Sequence, residues 1–210
     1  MRRLLVLLLL LAFSLPAPAR AATPYRWTSQ PIDAAIAARM QYTYRAGCPV
    51  ALRDLRYMTI SYIGFDGGGH QGQMVVHADA VATVARVFQK LYVAGFPLRR
   101  MRLVDAYKGS DDASMADDNT SAFNCRKVQG SSSWSEHAYG RAIDINPVEN
   151  PYVHGGTVDP PAGRPYVRRT PYRKAMVNRT VIDAFAAQHW GWGGSFRNSK
   201  DYQHFSRSGR

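Results

Sequence analysis

The most informative stretch of the sequence is SEHAYGRAID, residues 135–144. It places His137 and Asp144 seven positions apart, with Gly140 between them, and Asp144 lies in the run AIDIN, whose alternation is typical of a β-strand. Because glycine permits a tight turn, the imidazole and the carboxylate can converge from a turn and the strand that follows it. Both groups are common zinc ligands, so the pair is a candidate metal site.

The C-terminal run DYQHF, residues 201–205, offers a third ligand. His204 adds a second imidazole, and Asp201 places a carboxylate three positions before it. Catalytic zinc sites combine about three protein ligands with a nearby carboxylate that acts as general base. The alternative is a solvated Asp201 beside a structural histidine. The sequence contains no H-E-x-x-H motif, which excludes the common helix-based zinc protease.

Taken together, these motifs resemble the zinc D-alanyl-D-alanine carboxypeptidases of the VanY type. That family is related to L-alanyl-D-glutamate endolysins and shares the hedgehog/DD-peptidase fold. Its S-x-H-x-x-G-x-A-x-D motif corresponds to residues 135–144, and its acid-x-x-His motif corresponds to residues 201–204. A Trp/Gly-rich segment precedes the second motif at residues 191–194, and the similarity covers most of residues 47–206.

The resemblance implies a role for each matching residue. The implied zinc ligands are His137, Asp144 and His204. Asp201 would be the general base and then the proton donor to the leaving amine. Arg126 would help to stabilise the oxyanion, although a surface salt bridge is its alternative, and Ser135 would help to position the substrate.

The function that the resemblance implies is a secreted zinc metallopeptidase. It would hydrolyse D-amino-acid-containing peptide bonds in peptidoglycan stem peptides, as a D-Ala-D-Ala carboxypeptidase does. An L-Ala-D-Glu-type endopeptidase is one alternative, and a non-catalytic wall-binding module of the same fold is another. The family motifs do not distinguish carboxypeptidase, dipeptidase and endopeptidase activities.

Periodicity predicts an α+β fold, with a mainly antiparallel sheet flanked by helices. We expect helices over 31–45, 79–94 and 178–189, and strands over 57–65, 73–77, 101–107, 142–146 and about 202–205. The first two strands should form a hairpin across a glycine-rich loop. Residues 108–133 and 147–171 should be long excursions without regular structure.

The N-terminus predicts a signal peptide over residues 1–21. A basic start is followed by an uncharged run over residues 4–15 and by the A-x-A site at residues 19–21. The run is shorter than the ~20 residues that span a bilayer, although a membrane anchor is the alternative. We therefore expect an N-terminal helical segment at 22–46, a catalytic domain at 47–210, secretion to the cell wall and no stable membrane anchor.

The composition is basic, with 27 Lys and Arg against 15 Asp and Glu among 210 residues. Loss of residues 1–21 would lower the net charge from +12 to +9. Export makes peptidoglycan stem peptides and the anionic wall more plausible partners than nucleic acid, for which no binding motif is present. A nucleic-acid-binding or membrane-binding protein is the weaker alternative. We expect a monomer.

The two cysteines, Cys48 and Cys125, are expected to form a disulfide because export places them in an oxidising setting. Free thiols are the alternative. A disulfide would hold the loop that carries Arg126 against the connection between the first helix and the first predicted strand.

Overall fold

The computed structural model describes residues 24–210, and the predicted signal peptide lies outside them. The described part of the chain contains short strands and four α-helices. The strands are β1 Trp27–Pro31, β2 Leu55–Gly64, β3 Gly69–His77, β4 Pro97–Leu98, β5 Arg100–Met101, β6 Asn119–Thr120, β7 Ala142–Asp144, β8 Tyr152–His154, β9 Thr157–Asp159, β10 Gly191–Trp192, β11 Lys200–Asp201 and β12 His204–Ser206. The helices are α1 Ala34–Arg39, α2 Val81–Val93, α3 Asp111–Ala116 and α4 Arg179–Ala186.

The main sheet has the order β1-β2-β3, and β4 pairs parallel to β2. Strands β2 and β3 form the predicted hairpin, in antiparallel register from Leu55 opposite His77 to Ile63 opposite Gly69. Helix α2 packs against this sheet through Val84, Val87, Phe88 and Leu91, whose helical spacing places them on one face. The helix–sheet layer forms the larger hydrophobic core.

Three smaller sheets complete the fold, with the orders β10-β12-β7, β11-β8-β9 and β5-β6. The α+β class is therefore confirmed, and most strand pairs are antiparallel. The strands are divided among four sheets, however, and not gathered into one. This division brings the short strands β7, β11 and β12, which carry the predicted site residues, to the same part of the molecule.

The N-terminal segment differs from the prediction. Residues 27–31 form strand β1, which pairs with β2, and the helix predicted over 31–45 is confined to α1. Asp33 caps α1, because its side chain accepts a hydrogen bond from the main-chain nitrogen of Ile36 at 2.8 Å. The helix ends early because Asp105 accepts the main-chain N–H groups of residues 42 and 43 in place of helical carbonyls.

The strand predicted over 101–107 is also wrong over most of its length. Only β5 pairs as a strand, and residues 104–107 form a 3₁₀ turn. The side chain of Asn119 takes the place of a strand partner, because it accepts from the main-chain N–H of Arg102 and donates to the carbonyl of the same residue. Residues 108–133 and 147–171 were predicted to lack regular structure, but the first segment contains α3 and β6 and the second contains the β8–β9 hairpin.

The structure confirms the disulfide between Cys48 and Cys125. Cys125 is fully buried in a second core cluster together with Ile36, Met40, Leu55 and Phe123. The bridge joins the segment before β2 to the loop that carries Arg126, as predicted. No α-helix among residues 24–210 is both long enough and apolar enough to cross a membrane.

Candidate metal centre

His137 is placed by a 3₁₀ turn over residues 136–139. Ser135 caps this turn, because its Oγ accepts a hydrogen bond from the main-chain nitrogen of His137 at 3.3 Å. The turn ends at Gly140 with φ 66°, a left-handed conformation that favours glycine. A Cβ at Gly140 would also lie 2.6 Å from the main-chain nitrogen of His77. Glycine is therefore required between the two halves of the motif.

Asp144 and His204 come from two neighbouring strands. Strands β7 and β12 pair in antiparallel register, and these two residues lie directly opposite one another. Side chains of directly opposed residues project from the same face of a sheet. The strand pairing therefore presents the carboxylate and the imidazole side by side.

The side chains of His137, Asp144 and His204 converge on one point. The Nε2 atom of His137 lies 3.2 Å from Nδ1 of His204, and each of these nitrogens lies 3.1 Å from an oxygen of Asp144. The three residues are only 3%, 5% and 7% exposed. Their ligand atoms all lie within 4.8 Å of one another, which is the spacing that a single metal ion needs. The structure thus brings the three predicted ligands together.

Each imidazole is oriented by a main-chain oxygen behind it. Nδ1 of His137 lies 2.6 Å from the carbonyl of Ala122, and Nε2 of His204 lies 3.1 Å from the main-chain oxygen of Arg210. These main-chain oxygens only accept, so the nitrogens that face them carry ring protons. In a metal-bound form the other nitrogen of each ring presents a lone pair to the centre, as metal-binding histidines do.

The electrostatics of the centre favour a bound cation. Although burial opposes it, the hydrogen bond and charge of Asp144 raise the pKa of His204 to about 9. Although burial opposes this too, the two histidines hold the pKa of Asp144 well below its usual range. Two neutral imidazoles and one carboxylate would leave a bound Zn²⁺ with a net charge of +1, so the donor set fits a catalytic zinc ion.

Asp201 lies on β11, in the same cleft as the three ligands. Its Oδ1 atom is buried and has no hydrogen-bond partner among the described residues. Burial raises the pKa of Asp201 to about 7, and the negative charges of Asp144 and Asp111 act in the same direction. A carboxylate with a free oxygen and a pKa near neutrality is suited to accept and return a proton.

Gly193 allows close packing against the main chain of Asp201. A Cβ at Gly193 would lie 2.6 Å from the main-chain oxygen of Asp201 and 3.2 Å from the Cβ of His204. The glycine in the Trp/Gly-rich segment therefore allows the segment to pack directly behind the general-base candidate and a ligand.

Arg126 reaches the cleft but is not alone there. One of its Nη atoms lies 2.6 Å from a carboxylate oxygen of Asp111, while its Nε is buried without a partner among the described residues. Asp111 lines the same cleft as the three ligands, and burial raises its pKa while the positive charge of Arg126 lowers it. Arg126 therefore forms a salt bridge, which was the alternative prediction for this residue. The same salt bridge holds its guanidinium in the cleft, where it can act on an oxyanion.

Asp111 is a site residue that the sequence motifs do not indicate. It lies 15 positions before Arg126, within a polar stretch where no spacing links the two residues. The available signal was Ser110, whose side chain accepts from the main-chain nitrogen of Ala113 and caps α3. Ser135 lines the cleft, but the contact that the structure gives its hydroxyl is the cap on His137. Its role toward substrate stays a prediction.

The cleft around the centre has a volume of about 1320 Å³. One wall is the turn over residues 127–134, in which Lys127 Nζ lies 3.5 Å from the ring centre of Trp134. The β8–β9 hairpin and Phe196 contribute to another part of the lining. Since ligand pockets for drug-sized molecules measure about 300–1,000 Å³, this cleft can hold a peptide of several residues.

Comparison with known proteins agrees with the geometry. The family model described as D-alanyl-D-alanine carboxypeptidase matches residues 129–207, a range that contains the three ligands and Asp201. This match confirms the family resemblance, while Asp111 and Arg126 lie outside the matched range. Searches of curated proteins and of solved structures found no significant match.

Proposed function

We propose that this chain, whose residues 129–207 match the D-alanyl-D-alanine carboxypeptidase family model, is a zinc peptidase acting on peptidoglycan stem peptides. The observation that carries the proposal is the convergence of two imidazole lone pairs and one carboxylate beside the unpartnered oxygen of Asp201. His137, Asp144 and His204 would hold the zinc ion. A bound zinc ion polarises the scissile carbonyl and lowers the pKa of a bound water to about 7.

The residues of the chain account for the proton transfers and for the charge that develops. Asp201 Oδ1, which no protein donor occupies, accepts the proton of the attacking water and returns it to the leaving amine. Arg126 supplies a fixed positive charge where negative charge grows on the carbonyl oxygen. A preorganised donor of this kind typically contributes about 3 kcal/mol. Asp111 positions that guanidinium through their ion pair.

The size of the cleft favours a second candidate reaction. A terminal D-alanyl-D-alanine unit would fill only a small part of about 1320 Å³. The space is therefore also compatible with cleavage of an internal bond, as in an L-Ala-D-Glu-type endopeptidase. We keep removal of a terminal D-alanine as the first candidate, because the matching family model carries that description.

Location and assembly are part of the proposal. The N-terminal run of residues 1–21 supports export, and the basic composition supports retention on an anionic wall. We propose that the processed protein acts there as a monomer. Fractionation of producing cells, with detection of the protein in the wall or medium without residues 1–21, tests this part independently of catalysis.

The reaction is tested by mass spectrometry of the products from a defined pentapeptide-bearing muropeptide. The expected result is loss of one terminal alanine in the presence of zinc, and no product from Asp201→Asn. Products cut at an internal bond would support the endopeptidase instead. Binding to insoluble wall with no released peptide at saturating zinc would leave only the non-catalytic wall-binding module.

A further inference from the structure

A second charged feature lies outside the cleft. Residues 160–182 contain six cationic side chains and no Asp or Glu. These cations are Arg164, Arg168, Arg169, Arg173, Lys174 and Arg179. The proposed function uses none of them.

Arg169 anchors the segment to the protein. Its guanidinium donates to the main-chain oxygen of Glu149 at 2.7 Å, to Oδ1 of Asn150 at 2.8 Å and to the main-chain oxygen of Val177 at 3.2 Å. It also lies 4.6 Å from the ring centre of Tyr202, the residue after Asp201. The segment is therefore fixed beside the strand that carries the general-base candidate.

Three of the exposed cations are grouped around Tyr166. Arg173 lies 5.4 Å from the ring centre of Tyr166, and Arg164 and Arg168 lie two positions before and two positions after that tyrosine in the chain. Lys174 donates to the main-chain oxygen of Phe65 at 2.8 Å. We refer to the four exposed side chains at positions 164, 168, 173 and 174 as the cationic surface.

The cationic surface carries uncompensated charge. Within residues 24–210, the ion pair formed by this segment is that of Arg179 with Asp183, and the four side chains of the surface pair with no carboxylate. Concentrated charge of one sign that the protein does not neutralise attracts an oppositely charged partner. The surface is thus available to an anionic ligand.

We infer that the cationic surface binds a phosphodiester polymer of the cell wall, such as a poly(glycerol phosphate). Five of the six cations in the segment are arginines, whose planar guanidinium matches the oxygens of a phosphate group. A polymer with regularly repeated phosphates can engage several arginines and release its counterions. The choice of a wall polymer rests on the proposed function, because the stem peptides belong to the same wall.

An anionic membrane and a nucleic acid fit this surface less well. Tyr172 is the one large apolar side chain exposed in the described segment 160–182, so little apolar area is available to enter a bilayer. Stacking on successive bases requires several free aromatic faces, and Arg173 covers the ring of Tyr166, which leaves Tyr172 as the one exposed ring of the segment 160–182. Both ligands serve as outcomes of the test.

The experiment compares two triple variants that lose the same charge. One is Arg164→Gln/Arg168→Gln/Arg173→Gln in the cationic surface. The control is Arg45→Gln/Arg53→Gln/Lys90→Gln, which removes three exposed cations elsewhere. Binding to a synthetic glycerol-phosphate oligomer is titrated at several salt concentrations, and thermal unfolding confirms that both variants are folded.

The surface variant should bind the oligomer at least about tenfold more weakly at low salt, with a salt slope smaller by about 2, and the control should change little. Equal losses in the two variants would overturn the inference, since net charge alone would then explain binding. Tighter binding of wild type to phosphatidylglycerol vesicles or oligothymidylate than to the oligomer would also overturn it. Asp201→Asn should bind normally, so failure of the proposed reaction is separable from failure of this inference.

Discussion

Nε2 of His137 and Nδ1 of His204 lie only 3.2 Å apart, and the other nitrogen of each ring faces a main-chain oxygen. Two lone pairs at this distance repel unless a proton or a metal ion lies between them. Asp144 contributes a carboxylate to the same point, so a divalent cation satisfies all three groups. The two sequence motifs indicated these residues as candidates, and the family resemblance implied the full ligand set, because His137 and Asp144 belong to one motif and His204 to the other.

A substitution of Asp111 tests the part of the site that the sequence did not reveal. Asp111→Asn removes the charge of the partner of Arg126 while it keeps the shape of the side chain. Loss of a charge-assisted hydrogen bond of about 1.5–3 kcal/mol should lower kcat/KM about tenfold or more, with zinc affinity little changed. Steady-state kinetics and a zinc titration measure the two effects. Asp112→Asn alters the adjacent cleft carboxylate and serves as the matched control; equal losses in both variants would contradict the positioning role.

The dependence of kcat/KM on pH tests the role of Asp201 as the general base. Burial raises the pKa of Asp201 to about 7, and the base functions only when ionised, so kcat/KM should fall as the pH falls through that pKa. A cation bound at the three ligands stabilises the carboxylate, which should move the acidic limb of the zinc enzyme below pH 7. Initial rates between pH 4 and pH 9 measure the limb. Activity that stays constant down to pH 4 would exclude Asp201 as the base.

At the scale of elements, prediction succeeded where periodicity and packing agree. The β2–β3 hairpin and α2 form the large core, and their apolar spacing was visible in the sequence. Prediction failed where side chains take the place of main-chain hydrogen-bond partners. Asp105 ends α1 and Asn119 pairs with Arg102, and neither contact between distant residues leaves a periodic signal. Strand β1 was missed because all five of its residues are exposed.

The packing of the Trp/Gly-rich segment against β11 and β12 yields a prediction at this scale. Gly193→Ala would place a methyl group 2.6 Å from the main-chain oxygen of Asp201 and displace the strands that carry Asp201 and His204. Zinc affinity should fall by on the order of tenfold or more, as it does when groups that support metal ligands are altered. Competition with a chelating indicator measures this affinity.

Gly68→Ala is the control for that substitution. Its added methyl group would meet only the side chain of Asp66, at 3.4 Å, and should leave zinc binding unchanged. Unaltered zinc affinity in Gly193→Ala would show that the segment does not set the geometry of the centre.

For the whole molecule, two buried contacts hold the long segments 108–133 and 147–171 in place. The disulfide joins the first segment to Cys48, and a carboxyl pair joins the first segment to the second. The disulfide was predictable from the export signal and the count of cysteines, but the carboxyl pair was not. Asp118 and Glu149 are 6% and 3% exposed, and each has one oxygen without a hydrogen-bond partner among the described residues, although Nε of Arg99 lies 3.6 Å from that oxygen of Asp118. They lie 31 positions apart in segments that show no periodicity, so only the folded chain reveals that they meet.

This pair predicts how stability depends on pH. Burial raises the pKa of Glu149 to about 8, and the carboxylate of Asp118 acts in the same direction. The folded state therefore binds a proton more tightly than the unfolded state does. The stabilisation that comes from this proton is fully present below the ordinary pKa of a glutamate, and it is lost as the pH rises toward 8.

Glu149→Gln, which resembles the protonated acid, should flatten this decline in the free energy of unfolding between pH 5 and pH 9. Urea denaturation at several pH values measures it. Glu136→Gln, the change at the other glutamate of the chain, should keep the wild-type slope. An unchanged slope in Glu149→Gln would contradict the assignment of the proton to this pair.

We expect His137, Asp144 and His204 to form a zinc site, and the zinc content of the purified protein is the decisive measurement. Elemental mass spectrometry after dialysis against dilute zinc should find about one zinc ion per wild-type chain and far less in a folded His137→Ala variant. A folded wild-type protein that retains no zinc, or a His137→Ala variant that retains as much as wild type, would contradict the account.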